Sequence, residues 1–167
     1  RIVPSFTRNW LAKGHASAAS AGRLPAPMSF FDGFAVAFAG LTLASFVASP
    51  WSPTTAVLAL LAGCVQLVRL ARWAGDRTLS EPLVAILHVG YAFVPLGFLL
   101  VASSQVSTAV QPVAALHAWT VGGIGVMTLA VMTRASLGHA GRPLTAGPTT
   151  IVVYLLIIGS ALARILD

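Results

Sequence analysis

The chain predicts an all-α fold, a polytopic transmembrane helix bundle with five spans, on three observations. Of its 167 residues 57% are hydrophobic and 8% charged, with a mean hydropathy of +0.87, whereas soluble domains carry about 25% charged and about 45–50% apolar residues. Charge vanishes over long stretches: only Asp32 lies between Arg23 and Arg69, and nothing charged lies between Glu81 and Arg134 or between Arg142 and Arg164. Prolines and polar clusters then cut these stretches into lengths that suit the roughly 30 Å hydrocarbon layer. So few charges cannot coat a water-facing surface, which excludes a soluble enzyme and a disordered segment.

The segment 1–28 differs in kind. Residues 1–10 mix basic and aromatic side chains, as at a membrane surface, and residues 14–27 are rich in Ala, Ser, Gly and Pro and read as a loop. With Arg rather than Met at its start and no signal-peptide pattern, the chain reads as the C-terminal part of something longer. Span A, about residues 30–48, opens on Ser29-Phe30-Phe31-Asp32, a capping-box spacing with an acid at the positive helix end. Asp32 is therefore read as a cap rather than an intramembrane acid. Ser49-Pro50-Trp51-Ser52-Pro53 forces a turn. Spans B (53–73), C (82–102), D (112–133) and E (148–166) each begin with a proline, where the missing N–H costs nothing and the fixed φ suits a first turn. Lipid-exposed strands are the weaker alternative, because apolar and polar residues do not alternate in these runs.

The loops orient the bundle. Arg1, Arg8, Lys13, Arg23, Arg69, Arg72, Arg77, Arg134 and Arg142 fall on one side, and Arg164 alone lies at the other end of span E. The positive-inside rule puts the larger group in the cytoplasm and the C-terminus in the periplasm. That split accounts for the net charge of +6, so basicity here does not imply a nucleic-acid partner. The partner is the lipid bilayer. The single cysteine, Cys64, excludes an internal disulfide and a cysteine-based zinc site, and reads as a small apolar residue.

The residues able to carry chemistry are few. His88 and His117 lie inside spans, where an ionisable side chain is a functional candidate and a neutral imidazole can ligate haem iron or copper. A buried histidine bonded to a neighbouring helix is the other reading of each. Tyr91 follows His88 by one turn and Pro95 by two, so a kink there frees the Tyr91 carbonyl and shapes a pocket. Ala114, Ala118 and Gly122, four apart, suit close helix packing or approach to a flat macrocycle. Between spans D and E, Arg134, His139 and Arg142 form either ordinary charge anchoring or a cationic rim for carboxylates. Phosphate loops, zincin pairs and nucleophile elbows are absent from the sequence. By a rise of 1.5 Å per residue, His88 sits roughly 9 Å from the inner end of span C and His117 roughly 7 Å from the outer end of span D. In a layer about 30 Å thick they are about 14 Å apart in depth and do not share one iron.

Four segments resemble the C-terminal half of one family: residues 1–9, Leu87-His88-Val89-Gly90-Tyr91 with Pro95-Leu96-Gly97, residues 116–122, and the seventeen residues Met127 to Pro143. The family is NnrS, haem- and copper-containing bacterial inner-membrane proteins of the nitric oxide response. The resemblance implies a multi-pass protein of the bacterial cytoplasmic membrane with about twelve spans, of which an N-terminal half would be a partner of this one. It implies haem b, with copper as a further cofactor, and nitric oxide or nitrosylated small molecules as ligands. It leaves open whether the protein is an enzyme. The site residues carried by the matching segments are His88, His117, Tyr91, Arg134, His139 and Arg142, with His88 and His117 as the metal ligands and no catalytic residue. A transporter or structural membrane subunit without a cofactor is the alternative.

Overall fold

The structure, a computed structural model, describes residues 2–15 and 24–167. The inner-side cations Arg1 and Arg23, and most of the expected loop at 14–27, lie outside the described residues. Five helices are long and apolar enough to cross a membrane, preceded by the short helix α1, Ile2–Trp10, and a π-helical turn, Leu11–His15. The spans are α2, Phe30–Ala48; α3, Pro53–Ala71; α4, Pro82–Ser104; α5, Pro112–His139; and α6, Pro148–Leu166. No strand occurs among the described residues.

The starts follow the sequence chemistry. Asp32 Oδ2 accepts from the Ser29 backbone N–H and hydroxyl, each at 3.0 Å, so the cap forms. Prolines open α3 to α6, and Glu81 caps α4 by accepting from the Leu83 N–H at 3.1 Å. The ends differ more. α3 stops two residues short of Trp73, because Ala74 takes a left-handed φ of 52° and the chain enters a 3₁₀ turn, Gly75–Thr78. α5 runs six residues past Thr133, since charge marks the edge of the hydrocarbon and not the end of a hydrogen-bond ladder. What stops it is Gly141 at φ 65°, with Arg142 N–H donating to Leu137 at 3.0 Å and Gly141 N–H to Gly138 at 3.2 Å. That is a Schellman close.

Spans alternate in direction, so the start of α2, the end of α3, the start of α4, the end of α5 and the start of α6 share one end of the bundle. This basic end also holds α1. α4 is the central helix: 56% of its apolar window is buried, against 17% for α2 and 11% for α6. Leu83, Val84 and Leu87 on α4 are fully buried near the basic end, and Phe98 and Val101 pack with Ala59, Ala62 and Ala115 towards the other.

The small-residue stripe on α5 serves packing. Phe93 lies so close to Gly122 that a Cβ there would come within 2.3 Å of its ring, and Ala114 and Ala118 are buried. A π-helical segment, Ala118–Gly125, interrupts α5 opposite Pro95 of α4. Its Trp119 lies on Gly97 and donates its indole N–H to the Val94 carbonyl at 3.1 Å. Wide helical turns of this kind recur beside kinks and sites.

Candidate functional site

His88 sits in the second turn of α4, 8% exposed, facing α1. Val3, Thr7 and Leu11 recur every four residues and are all buried, so one stripe of the juxtamembrane helix is laid on the bundle. Thr7 Oγ1 lies 3.3 Å from His88 Nε2 and donates to the Val3 carbonyl at 2.9 Å. On the other side of the ring, Nδ1 lies 3.2 Å from the Val84 carbonyl. A carbonyl can only accept, so a neutral ring bonded to Val84 carries its proton on Nδ1 and turns the Nε2 lone pair towards Thr7. The ring edge is clamped as well: a Cβ at Gly75 would come within 2.6 Å of His88 Cδ2. A cleft of about 370 Å³, bounded by Leu70, Ala71, Gly75 and Asp76, opens beside the same ring.

One turn along α4, the Tyr91 hydroxyl is committed elsewhere. It accepts from Arg69 Nη1 at 2.7 Å and donates to Gln66 Oε1. Arg69 Nε meets Asp32 Oδ1 at 3.0 Å, and Gln66 Nε2 donates to the Ala35 carbonyl at 2.8 Å. Arg72 closes the set from outside, donating to the Ser29 hydroxyl at 3.1 Å. The indole of Trp73 packs against Tyr91 with ring centres 4.6 Å apart, under the Arg69 guanidinium. Charges in a membrane span need partners, and the α2–α3 hairpin supplies them. It sets the first turn of one helix beside the last turn of the other, where each charge also suits its helix dipole. Sequence reading missed this network. The available signal was Gln66 and Arg69, three apart on one face of a helix that otherwise reads as apolar.

The expected rim divides. Arg134 stacks over the Phe6 ring at 4.4 Å and helps wall a cavity of about 630 Å³ at the basic end, with α1, Glu81 and Thr145. His139 and Arg142 are exposed and outside that wall. His117 is half-buried near the start of α5, at the opposite end from His88, and makes no hydrogen bond with the described residues. Met127 packs on Gly90, whereas Met132 and Cys64 are exposed. The fold thus brings His88 together with Thr7 and Gly75, and Arg134 with α1. It does not bring His88 and His117 to one point. No group of three His, Cys, Asp or Glu side chains able to hold a metal ion occurs among the described residues.

No match was found among curated proteins or among solved structures. A family model described as NnrS protein matches residues 1–167. With five apolar helices, a buried span histidine and that match over its whole length, the chain belongs to the NnrS family, membrane proteins of the nitric oxide response.

Proposed function

We propose that this chain is the haem-b-binding portion of an inner-membrane protein that protects against nitric oxide, with His88 as the residue that would hold the haem iron. The observation that carries the reading is the state of the His88 ring. Nδ1 lies against a backbone carbonyl, a contact that supports the tautomer with Nε2 as the donor, the arrangement of metal-bound imidazoles. The ring is buried in a largely apolar bundle, with the Thr7 hydroxyl as the group facing Nε2. The donor set offers one imidazole nitrogen that would hold an iron. It does not by itself make a copper cage, because His117, Cys64 and Met132 lie elsewhere. Copper, if held, takes ligands from further segments of the protein. Bound haem supplies an iron centre able to take up nitric oxide.

The chain's own residues then have distinct tasks. His88 holds the cofactor, and Gly75 leaves room for its ring. Tyr91, through Arg69 and Gln66, fixes α4 against α2 and α3, so its hydroxyl is a positioning group. Thr7 faces Nε2, so holding the cofactor there would cost α1 this contact. The basic end faces the cytoplasm by the positive-inside rule.

The second reading is favoured by one observation: both ring nitrogens already face protein oxygens. On that reading His88 fastens α1 to α4, and the protein is a structural or transport subunit. Absorption spectra of the purified protein separate the two. His88→Ala should abolish or strongly shift the Soret band while the protein still inserts. A variant with the wild-type band and wild-type response to nitric oxide would leave the fastener reading standing.

A further inference from the structure

We propose that the cavity at the basic end binds a phosphate group, using Arg134 and Lys13 for charge and Asn9 and Thr145 for hydrogen bonds. At about 630 Å³ it is of ligand size. It is built from three places in the chain: α1 with its following turn, the residues before α4, and the last turns of α5 with the connection after them. On α1 it is faced by Asn9, Trp10 and Lys13, one stripe round from the Thr7 stripe that meets His88. α1 therefore stands between this cavity and the histidine, and the two sites are separate.

The cavity wall carries two cations, Arg134 and Lys13, against one carboxylate, Glu81. Arg69 and Arg72 share Asp32, but Arg134 and Lys13 make no ion pair or hydrogen bond with the described residues. The one carboxylate in the wall, Glu81, caps α4 through Leu83 and offsets part of this charge without an ion pair to Arg134. The Arg134 guanidinium is half-buried, and stacking on Phe6 occupies its face while leaving its N–H edge for a ligand. A carboxylate would be satisfied by the guanidinium fork alone. Two cations from different elements, with an amide and a hydroxyl, suit the three or four oxygens of a phosphate. That group can come from a phospholipid headgroup, since basic pockets at the ends of spans take these, or from a phosphorylated solute.

The test uses the protein purified from membranes, delipidated in phosphate-free detergent. Inorganic phosphate is titrated by equilibrium dialysis, and retention of added phosphatidylglycerol is counted by native mass spectrometry. Wild type is compared with Lys13→Gln/Arg134→Gln, with Arg134→Lys, and with Arg164→Gln as a charge control at the opposite end. The double variant should weaken binding by at least about tenfold, with Arg134→Lys intermediate and Arg164→Gln unchanged. Loss seen with inorganic phosphate identifies a solute site, and loss seen only with phosphatidylglycerol identifies a lipid site. Equal binding of both probes by wild type and double variant, binding by neither, or an equal loss in Arg164→Gln would overturn the proposal. If the double variant does not fold, Arg134→Lys with Thr145→Val takes its place, and unchanged binding there counts against the site.

Discussion

Arg69 Nε and Asp32 Oδ1 lie 3.0 Å apart, although 37 positions separate the two residues in sequence. Both side chains are 10% exposed or less. The pair is therefore a helix clasp inside the bundle, not a surface ion pair of small effect. Removing one partner strands the other charge. Arg69→Met should destabilise the protein in detergent by about 3–5 kcal/mol, measured by reversible unfolding. Tyr91→Phe should cost less, about 1–3 kcal/mol, because it leaves Arg69 with Asp32 and removes only the hydroxyl's bonds to Arg69 Nη1 and Gln66. A Tyr91→Phe loss equal to that of Arg69→Met would show that the hydroxyl, not the ion pair, holds the helices.

Trp119 and Gly97 give a packing prediction. A Cβ at Gly97 would fall within 2.1 Å of the indole nitrogen, so Gly97→Ala must push the ring away from Val94. Overpacking of this kind costs about 1–3 kcal/mol. The variant should unfold earlier, and its tryptophan emission should shift as the indole loses its hydrogen bond. An unaltered emission spectrum would mean that the α4–α5 contact is looser than it stands in this structure.

Thr7 separates the roles of α1. Thr7→Val keeps the shape and removes the hydroxyl. With His88 as the ligand, haem content should be unchanged or raised, and amide exchange in α1 should quicken in the cofactor-free protein. With His88 as a fastener, the same change should destabilise the preparation by about 1–3 kcal/mol whether or not haem is present.

Orientation is tested at the C-terminus. A reporter fused after Asp167 should be active only on the periplasmic side, given the one-sided distribution of cations. Cytoplasmic activity there would overturn the assignment of the basic end.

The spans were legible because two independent signals coincide. Loss of charge marks hydrocarbon, and Pro53, Pro82, Pro112 and Pro148 mark the first turns at which α3 to α6 begin. The cap at Asp32 was legible because its partner is three residues away. The pairings Asp32–Arg69 and Thr7–His88 span 37 and 81 positions. Local pattern carries no information about such contacts, which depend on how the hairpins fold back. The π segment in α5 leaves no trace in composition, since Trp119 to Gly125 reads as an ordinary apolar turn. In the candidate site, His88 and Arg134 could be singled out as unusual, but whether they meet could not. The intervening helix α1 that separates them reads in sequence only as a basic, aromatic surface segment.

The central claim, that His88 Nε2 ligates haem iron, is tested most directly by chemical rescue. His88→Gly removes the imidazole and leaves a hole of its shape beside Gly75. The purified variant should lack the wild-type Soret band, and added imidazole should restore it, together with the shift on nitric oxide binding. A His88→Gly protein that keeps the wild-type band, or one that loses it and is not restored by imidazole while still folded, would contradict the assignment.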